Sequence, residues 1–171
     1  MSVRLLLSLG ANLGEREETL RWALERLRPS EVSSFYYTPP WGDPDQPDYV
    51  NVSAFVEREG WGVEDWFAHT RDLEAEGGRV RDPERRFGPR TLDIDLIAAW
   101  EDGEPVTSDD PRLTLPHPRA RLRVFVLAPW LEMRGDAELP GYGSVERLLA
   151  SDELAADRKT MRKGPAAPPS A

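Results

Sequence analysis

Cysteine is absent from the chain, which excludes a disulfide framework and a thiolate metal site and fits a reducing compartment. Lysine is nearly absent as well: Lys159 and Lys163 are the two in the chain, both near its end. Any phosphate handling therefore falls to arginine, whose planar fork can hold two oxygens at once. No apolar run approaches the length needed to span a bilayer, and the first residues lack a signal-peptide layout. The expectation is a cytoplasmic protein with no membrane partner. A basic excess is missing too. The net charge of −9 opposes a general nucleic-acid binder, which needs a basic face.

What is present is a globular composition, 39% hydrophobic and 31% charged over 171 residues, enough for one domain with a full core. We place that domain at 1–157 and expect a polar, Pro/Ala-rich mobile tail at 158–171. Val3 to Leu9 reads as a short apolar strand, followed by the turn Gly10-Ala11-Asn12-Leu13-Gly14 and a helix over about Glu15–Arg28. Leu20, Ala23, Leu24 and Leu27 recur at helical spacing there, with acids at the N-terminal end. GANLG without a following Gly-Lys-Ser/Thr is not a P-loop. A second strand is expected from Glu31 to Tyr37. Thr38 to Asp48 carries four prolines and one glycine and reads as a stiff, shaped loop whose Trp41 packs on the core or meets a ligand.

Tyr49 to Val56 alternates, with Tyr49, Asn51, Ser53 and Phe55 on one face. Tyr49 and Asn51 could stack on a flat heterocycle and read its edge; a half-buried tyrosine beside a strand-end asparagine accounts for them equally simply. An amphipathic helix over Val63–Glu76 is expected to stop at Gly77-Gly78, and His69 on it reads as structural. Glu101–Asp110 reads as a solvated acidic loop. His117, held between Pro116 and Pro118, suits a preset contact, although such turn histidines also occur without a role. Leu122–Leu131 reads as a helix broken near Pro129, with Phe125 in the core or facing a cavity. A last helix over Val145–Leu154 is capped by Ser144.

The chemistry concentrates in Arg79 to Leu96. Arg79, Arg81, Arg85, Arg86 and Arg90 fall within twelve residues of an acidic chain. Asp93-Ile94-Asp95 follows in a strand-like run. Alternate strand residues share a face about 7 Å apart, and two carboxylates so placed repel unless a cation lies between them. A hard divalent metal bound to carboxylates on one side and phosphate oxygens on the other would satisfy both halves of the stretch. An exposed edge strand beside a solvated loop is the alternative. The order strand, helix, strand, strand, helix, strand is a ferredoxin-like βαββαβ core, an α+β fold with an antiparallel sheet, here with long loops and extra C-terminal helices.

LSLGANLG (Leu7–Gly14), SSFYYTPPWG (Ser33–Gly42), QPDYVN (Gln46–Asn51), FGPRTLDIDL (Phe87–Leu96) and RLTLPHPR (Arg112–Arg119) together resemble the 6-hydroxymethyl-7,8-dihydropterin pyrophosphokinase family of folate biosynthesis. The resemblance implies transfer of pyrophosphate from ATP to the pterin hydroxymethyl oxygen. It gives Asp93 and Asp95 two Mg²⁺ ions, and gives Arg81 and Arg90 a catalytic clamp on the phosphates. Thr38, Pro39, Trp41, Tyr49, Asn51 and Phe125 would hold the pterin. ATP would meet Arg71, Glu74, Arg79, Arg81, Phe87, Arg90 and Leu96, then Arg112, Leu113, Thr114, His117 and Arg123. Small-molecule substrates and a monomer are implied, with no nucleic-acid partner. The rival readings are a metal-dependent phosphohydrolase, using the same aspartates on water, and a non-catalytic ferredoxin-like nucleotide- or RNA-binding module.

Overall fold

Alternation of large aliphatic residues with small or polar ones along three long strands sets the architecture. The computed structural model describes residues 2–12, 14–39, 45, 47–79 and 92–167, without the side chains of 78 and 79. In chain order the elements are β1 (Val3–Ala11), α1 (Arg16–Leu27), β2 (Glu31–Val32), β3 (Ser34–Thr38), β4 (Tyr49–Glu57), α2 (Val63–Arg79), β5 (Asp93–Glu101), β6 (Glu104–Val106), β7 (Ser108–Asp110) and β8 (Leu113–Leu115). Then follow α3 (Val124–Met133), β9 (Glu138–Leu139), β10 (Gly143–Ser144), α4 (Val145–Leu149), α5 (Ala155–Thr160) and β11 (Arg162–Ala166). The main sheet runs β11-β3-β4-β1-β5-β6 with β2 also on β4, and its pairs are antiparallel. The order β3-β4-β1-β5, with α1 and α2 as connections, is the expected ferredoxin-like core.

Two apolar layers hold it. Leu5, Leu7 and Leu9 of β1 and Val50, Val52 and Val56 of β4 face α1 and α2, packing with Leu20, Leu24, Leu27, Trp66 and Leu73. Leu6 and Phe55, on the opposite face, pack under α3 with Val124, Leu127 and Trp130. Each fully buried side chain of this size stabilises the fold by about 1.5–3 kcal/mol. Between these layers β5 carries a bulge: Leu6 pairs with Ala98 but Leu7 with Leu96, which leaves Ile97 as the extra residue. Ile97 and Ala98 therefore both join the α3 layer.

Six expectations need correction. The strand expected over Glu31–Tyr37 is split at Ser33, whose Oγ accepts from Ser53 N at 2.9 Å. Helix α2 does not stop at Gly77-Gly78 but runs to Arg79. A Cβ on Gly77 would sit 3.0 Å from Leu92 Cδ2 and 3.6 Å from Trp22 Cζ3, so that glycine serves close packing rather than a cap. The acidic stretch Glu101–Asp110 is solvated, with Asp102, Glu104 and Asp109 exposed, but it is not a loop: it turns through Asp102 (φ 52°) and Gly103 (φ 81°), the Asp-Gly hairpin pattern, which pairs β6 with β5, and β7 then pairs with β8. Pro129 does not break its helix, because Val126, Leu127 and Trp130 are buried around it; a single missing N–H is outweighed by that packing. Finally, the segment from Arg158 on is not a structureless tail as far as Ala167. It completes α5 and adds β11 to β3, with Arg162 paired to Tyr37 and Lys163 to Tyr36. Ser144 does cap α4, accepting from Arg147 N, but that helix ends at Leu149. No helix among the described residues is long and apolar enough to cross a membrane.

Candidate active site

On one face of the three central strands, apolar residues give way to polar ones in step. Along β1 the order is Leu6, Ser8, Gly10; along β4 it is Phe55, Ser53, Asn51, Tyr49; along β5 it is Ile97, Asp95, Asp93. The register aligns them. Gly10 pairs with Asn51 on one side and Asp93 on the other, and Ser8 pairs with Ser53 and Asp95. Helix α3 covers the apolar end of this face, which leaves the polar end as a floor bordered by the end of β3 and by the segment from His117 to Arg123 before α3.

Asp93 is exposed and Asp95 half-exposed, both on this face. Arg123 Nη1 donates to Asp95 Oδ2 at 3.3 Å, and its guanidinium lies 5.5 Å from the Phe125 ring centre. His117 reaches the same corner because its N–H donates to the bulged Ile97 carbonyl at 2.7 Å. Burial holds the imidazole below its usual pKa; Arg123 and Arg119 act the same way, and Asp95 opposes them. His117 Nδ1 accepts from Arg119 N at 3.1 Å, so the neutral ring carries its proton on Nε2, a donor for an anionic oxygen.

On the β4 side, Asn51 is buried and donates from Nδ2 to Thr38 Oγ1 at 3.1 Å. Gly10 makes room for it: a Cβ there would lie 3.2 Å from Asn51 Oδ1. Tyr49 pairs with Thr38 and is half-buried, Phe125 is half-buried, and Pro39 is exposed. Thr38, Tyr49 and Asn51 thus come together, on the face that also carries Asp93 and Asp95. Ser53, which is not among the expected site residues, lies on the floor with a buried Oγ that has no hydrogen-bond partner among the described residues. Its place beside Asn51 in the alternation was the available signal.

The nucleotide-side residues divide into groups. Arg112 pairs with Asp110 at 3.0 Å and Glu64 at 3.3 Å, and Thr114 Oγ1 donates to Asp110 O at 3.0 Å. The guanidiniums of Arg71 and Arg112 stand 5.2 and 5.8 Å from the Phe67 ring centre, which adds Phe67 to this wall. Leu96 and Leu113 are buried in the layer of α1 and α2, so their side chains face away from the aspartates. Arg71 and Glu74 are turned onto the Ile94 backbone. Burial pushes the Glu74 carboxyl up, against the Ile94 N–H and Arg71; Asp93 and Asp95 add to the rise. Trp41, Arg81, Phe87 and Arg90, like Arg85 and Arg86, lie outside the described residues, as does the side chain of Arg79.

Among the described residues no group of three or more His, Asp or Glu is placed to hold a metal ion. The pair Asp93/Asp95 nevertheless suits a hard divalent cation. Two carboxylates share a face, and oxygens of a bound phosphate could complete the shell.

The sequence profile of the 7,8-dihydro-6-hydroxymethylpterin-pyrophosphokinase (HPPK) family matches residues 6–135. A 2-amino-4-hydroxy-6-hydroxymethyldihydropteridine pyrophosphokinase of Mycobacterium leprae is 39% identical over 161 residues, 88% of this chain and 83% of that one. The enzyme of the same name from Pseudomonas aeruginosa is 38% identical over 157 residues, 88% of this chain and 93% of that one. Among solved structures, a triple variant of a Plasmodium falciparum HPPK-DHPS with bound pterin superposes with a TM-score of 0.69 at 10% identity. That match covers 95% of this chain and 45% of the longer one, so this chain spans less than half of it, and the likeness speaks for the fold alone. The profile covers most of the chain and these relatives are well above 30% identical over most of it: the chain belongs to the 7,8-dihydro-6-hydroxymethylpterin-pyrophosphokinase family.

Proposed function

We propose that this chain transfers the pyrophosphoryl group of ATP to the hydroxymethyl oxygen of 6-hydroxymethyl-7,8-dihydropterin in folate biosynthesis, giving the pterin pyrophosphate and AMP. Family membership supports the activity. The observation that carries the mechanism is the shared row Asp93, Gly10, Asn51, which sets a carboxylate and a heterocycle-reading amide on one floor with only a glycine between them.

The pterin ring would lie between Tyr49 and Phe125, its amide edge on Asn51 and Thr38, with Pro39 and Trp41 at the rim. The alcohol oxygen then points along the row toward Asp93. It attacks the β-phosphorus and gives up its proton to solvent; the bond from that phosphorus to the α–β bridging oxygen breaks, and AMP leaves with that oxygen. Asp93 and Asp95 would hold two Mg²⁺ ions, which when bound supply neutralisation of phosphate charge. Arg123 and the Nε2–H of His117 stand beside Asp95 and would hold phosphate oxygens. Arg79, Arg81 and Arg90 would clamp the triphosphate, and Phe87 would meet the nucleotide. Arg112, Leu113, Thr114 and the Leu96 backbone would border the adenosine. Catalysis in this arrangement is positioning and electrostatic stabilisation. All these groups come from one chain, so a monomer suffices, and the reading places it in the cytoplasm.

No observation favours the rival readings. The face that an RNA-binding module would use is half covered by α3 and carries carboxylates at its open end. The direct test is to incubate the chain with Mg²⁺ and ATP, with and without the reduced pterin. AMP should form with the pterin present, in equal amount to pterin pyrophosphate. Release of ADP or phosphate at the same rate without pterin would overturn the proposal in favour of a hydrolase.

A further inference from the structure

Ile94 stands between the two aspartates, at a point where no strand among the described residues flanks the outer side of β5: β6 pairs with Ala99–Glu101. The Ile94 N–H and C=O are nonetheless both satisfied, by side chains. Glu74 Oε2 accepts from Ile94 N at 2.8 Å, and Arg71 Nη2 donates to Ile94 O at 2.7 Å. Arg71 Nε in turn lies 3.1 Å from Glu74 Oε1, so the three bonds close a ring. Two side chains one helical turn apart on α2 thus present an acceptor and a donor to Ile94 as a neighbouring strand would. Both carboxylate oxygens of Glu74 are engaged, and its side chain is only 14% exposed.

We propose that Arg71 and Glu74 are positioning residues, a bracket that stands in for the missing strand and fixes the Ile94 peptide, and with it the directions of Asp93 and Asp95. This rests on the reading of those aspartates as the metal and phosphate side of the site, and it replaces the nucleotide contacts that the resemblance alone gives to Arg71 and Glu74. Electrostatics alone would not place a third carboxylate here. Burial and the two neighbouring acids both disfavour its charge. What Glu74 supplies is acceptor geometry: a fixed oxygen opposite a backbone N–H at the end of a strand. Without it the peptide between the aspartates would turn to water, and their shared face would lose definition.

The test uses the full chain and reads the amide hydrogen exchange of Ile94, Mn²⁺ affinity in the presence of a non-hydrolysable ATP analogue, and the steady-state constants. Removing the charge-assisted bond in Glu74→Ala should speed Ile94 exchange about tenfold or more. Mn²⁺ affinity and kcat should fall together, while KM for the pterin stays near the wild-type value. Glu74→Gln keeps an acceptor and should recover much of the Ile94 protection and of the Mn²⁺ affinity. Arg71→Ala, at the more exposed end of the ring, should shift the same quantities in the same direction by less, and it serves if Glu74→Ala fails to fold. Unchanged Ile94 protection in the folded variants overturns the bracket. So does lost protection with unchanged Mn²⁺ affinity and kcat. Asp95→Asn separates the two layers of the argument: if it leaves Mn²⁺ affinity intact, the metal reading itself has failed, whatever Ile94 does.

Discussion

Gly10 offers a perturbation whose consequences can be worked out atom by atom. A methyl group added there would meet Asn51 Oδ1 at 3.2 Å and the Val50 carbonyl oxygen at 3.9 Å, with nothing else among the described residues within 4 Å. Gly10→Ala therefore presses on the Asn51 amide, the group proposed to read the pterin edge, and leaves Asp93 alone, although Asp93 is the strand partner of Gly10. In a strand interior, exchanging glycine for alanine favours the folded state by about 0.5–1 kcal/mol through chain entropy. Moving Asn51 puts at risk its bond to Thr38 Oγ1, worth about 1 kcal/mol net. The two nearly cancel in stability. They do not cancel in binding, because the displaced Asn51 amide is the group that would read the pterin edge, and the entropy gain in the chain does nothing for that contact. We expect an unfolding midpoint close to wild type and a KM for the pterin raised by roughly 5- to 30-fold, the equivalent of about 1–2 kcal/mol. Urea denaturation and steady-state kinetics with varied pterin give both numbers, and Mn²⁺ affinity should not move. A pterin KM within about twofold of wild type would refute the assignment of Asn51 to the pterin edge.

Three further outcomes follow from the packing and the titrating groups. Gly77→Ala gains about 1 kcal/mol of helix propensity but forces a contact 3.0 Å from Leu92 Cδ2; overpacking of this kind costs about 1–3 kcal/mol, so the thermal midpoint should fall, and a rise would refute the close-packing role. Glu132 accepts from Ser34 N, Ser34 Oγ and Tyr36 Oη at 3.0, 2.7 and 2.8 Å, tying α3 to β3. Glu132→Ala should cost about 2–4 kcal/mol in urea denaturation, since it leaves buried donors without acceptors, and a loss of under about 0.5 kcal/mol would show that the bonds are replaced. The folded pKa of His117 lies below the usual imidazole value of 6.5. The native state thus takes up this proton less readily than the unfolded chain, and the stability it confers is complete above that value and lost as pH falls through the folded pKa. Wild type should lose more stability than His117→Gln between neutral and mildly acidic pH; equal losses would refute the shift.

Much of the site was legible because period-2 alternation is a one-dimensional signal. The faces of Tyr49–Val56 and of Asp93-Ile94-Asp95 could be read residue by residue, and the helical spacing of Leu20, Ala23, Leu24 and Leu27 put α1 where it is. Register was not legible. Nothing local to β5 says that Asp93 lies opposite Gly10 and, beyond it, Asn51, since that depends on how three separate strands align and on a bulge at Ile97. The glycine errors share a cause. Gly77 looked like a helix stop because its packing partner Leu92 is fifteen residues away, whereas Gly103 after Asp102 was a turn signal hidden in an acidic run. The bracket on Ile94 escaped for the same reason as the register: Glu74 and Ile94 are twenty residues apart, and a helix side chain bonding a strand backbone leaves no pattern in either segment. The C-terminal strand β11 is polar and contains Pro165, so its composition alone suggested a tail. An edge position tolerates both features.

The account depends on two aspartates on one face of β5 carrying the cation-bound phosphates against the pterin alcohol. Single-turnover formation of pterin pyrophosphate by Asp95→Asn, measured with saturating ATP, pterin and Mg²⁺, tests this most directly. The account predicts a rate lower by about a thousandfold or more, with pterin affinity and the unfolding midpoint essentially unchanged. A rate within about tenfold of wild type would contradict it.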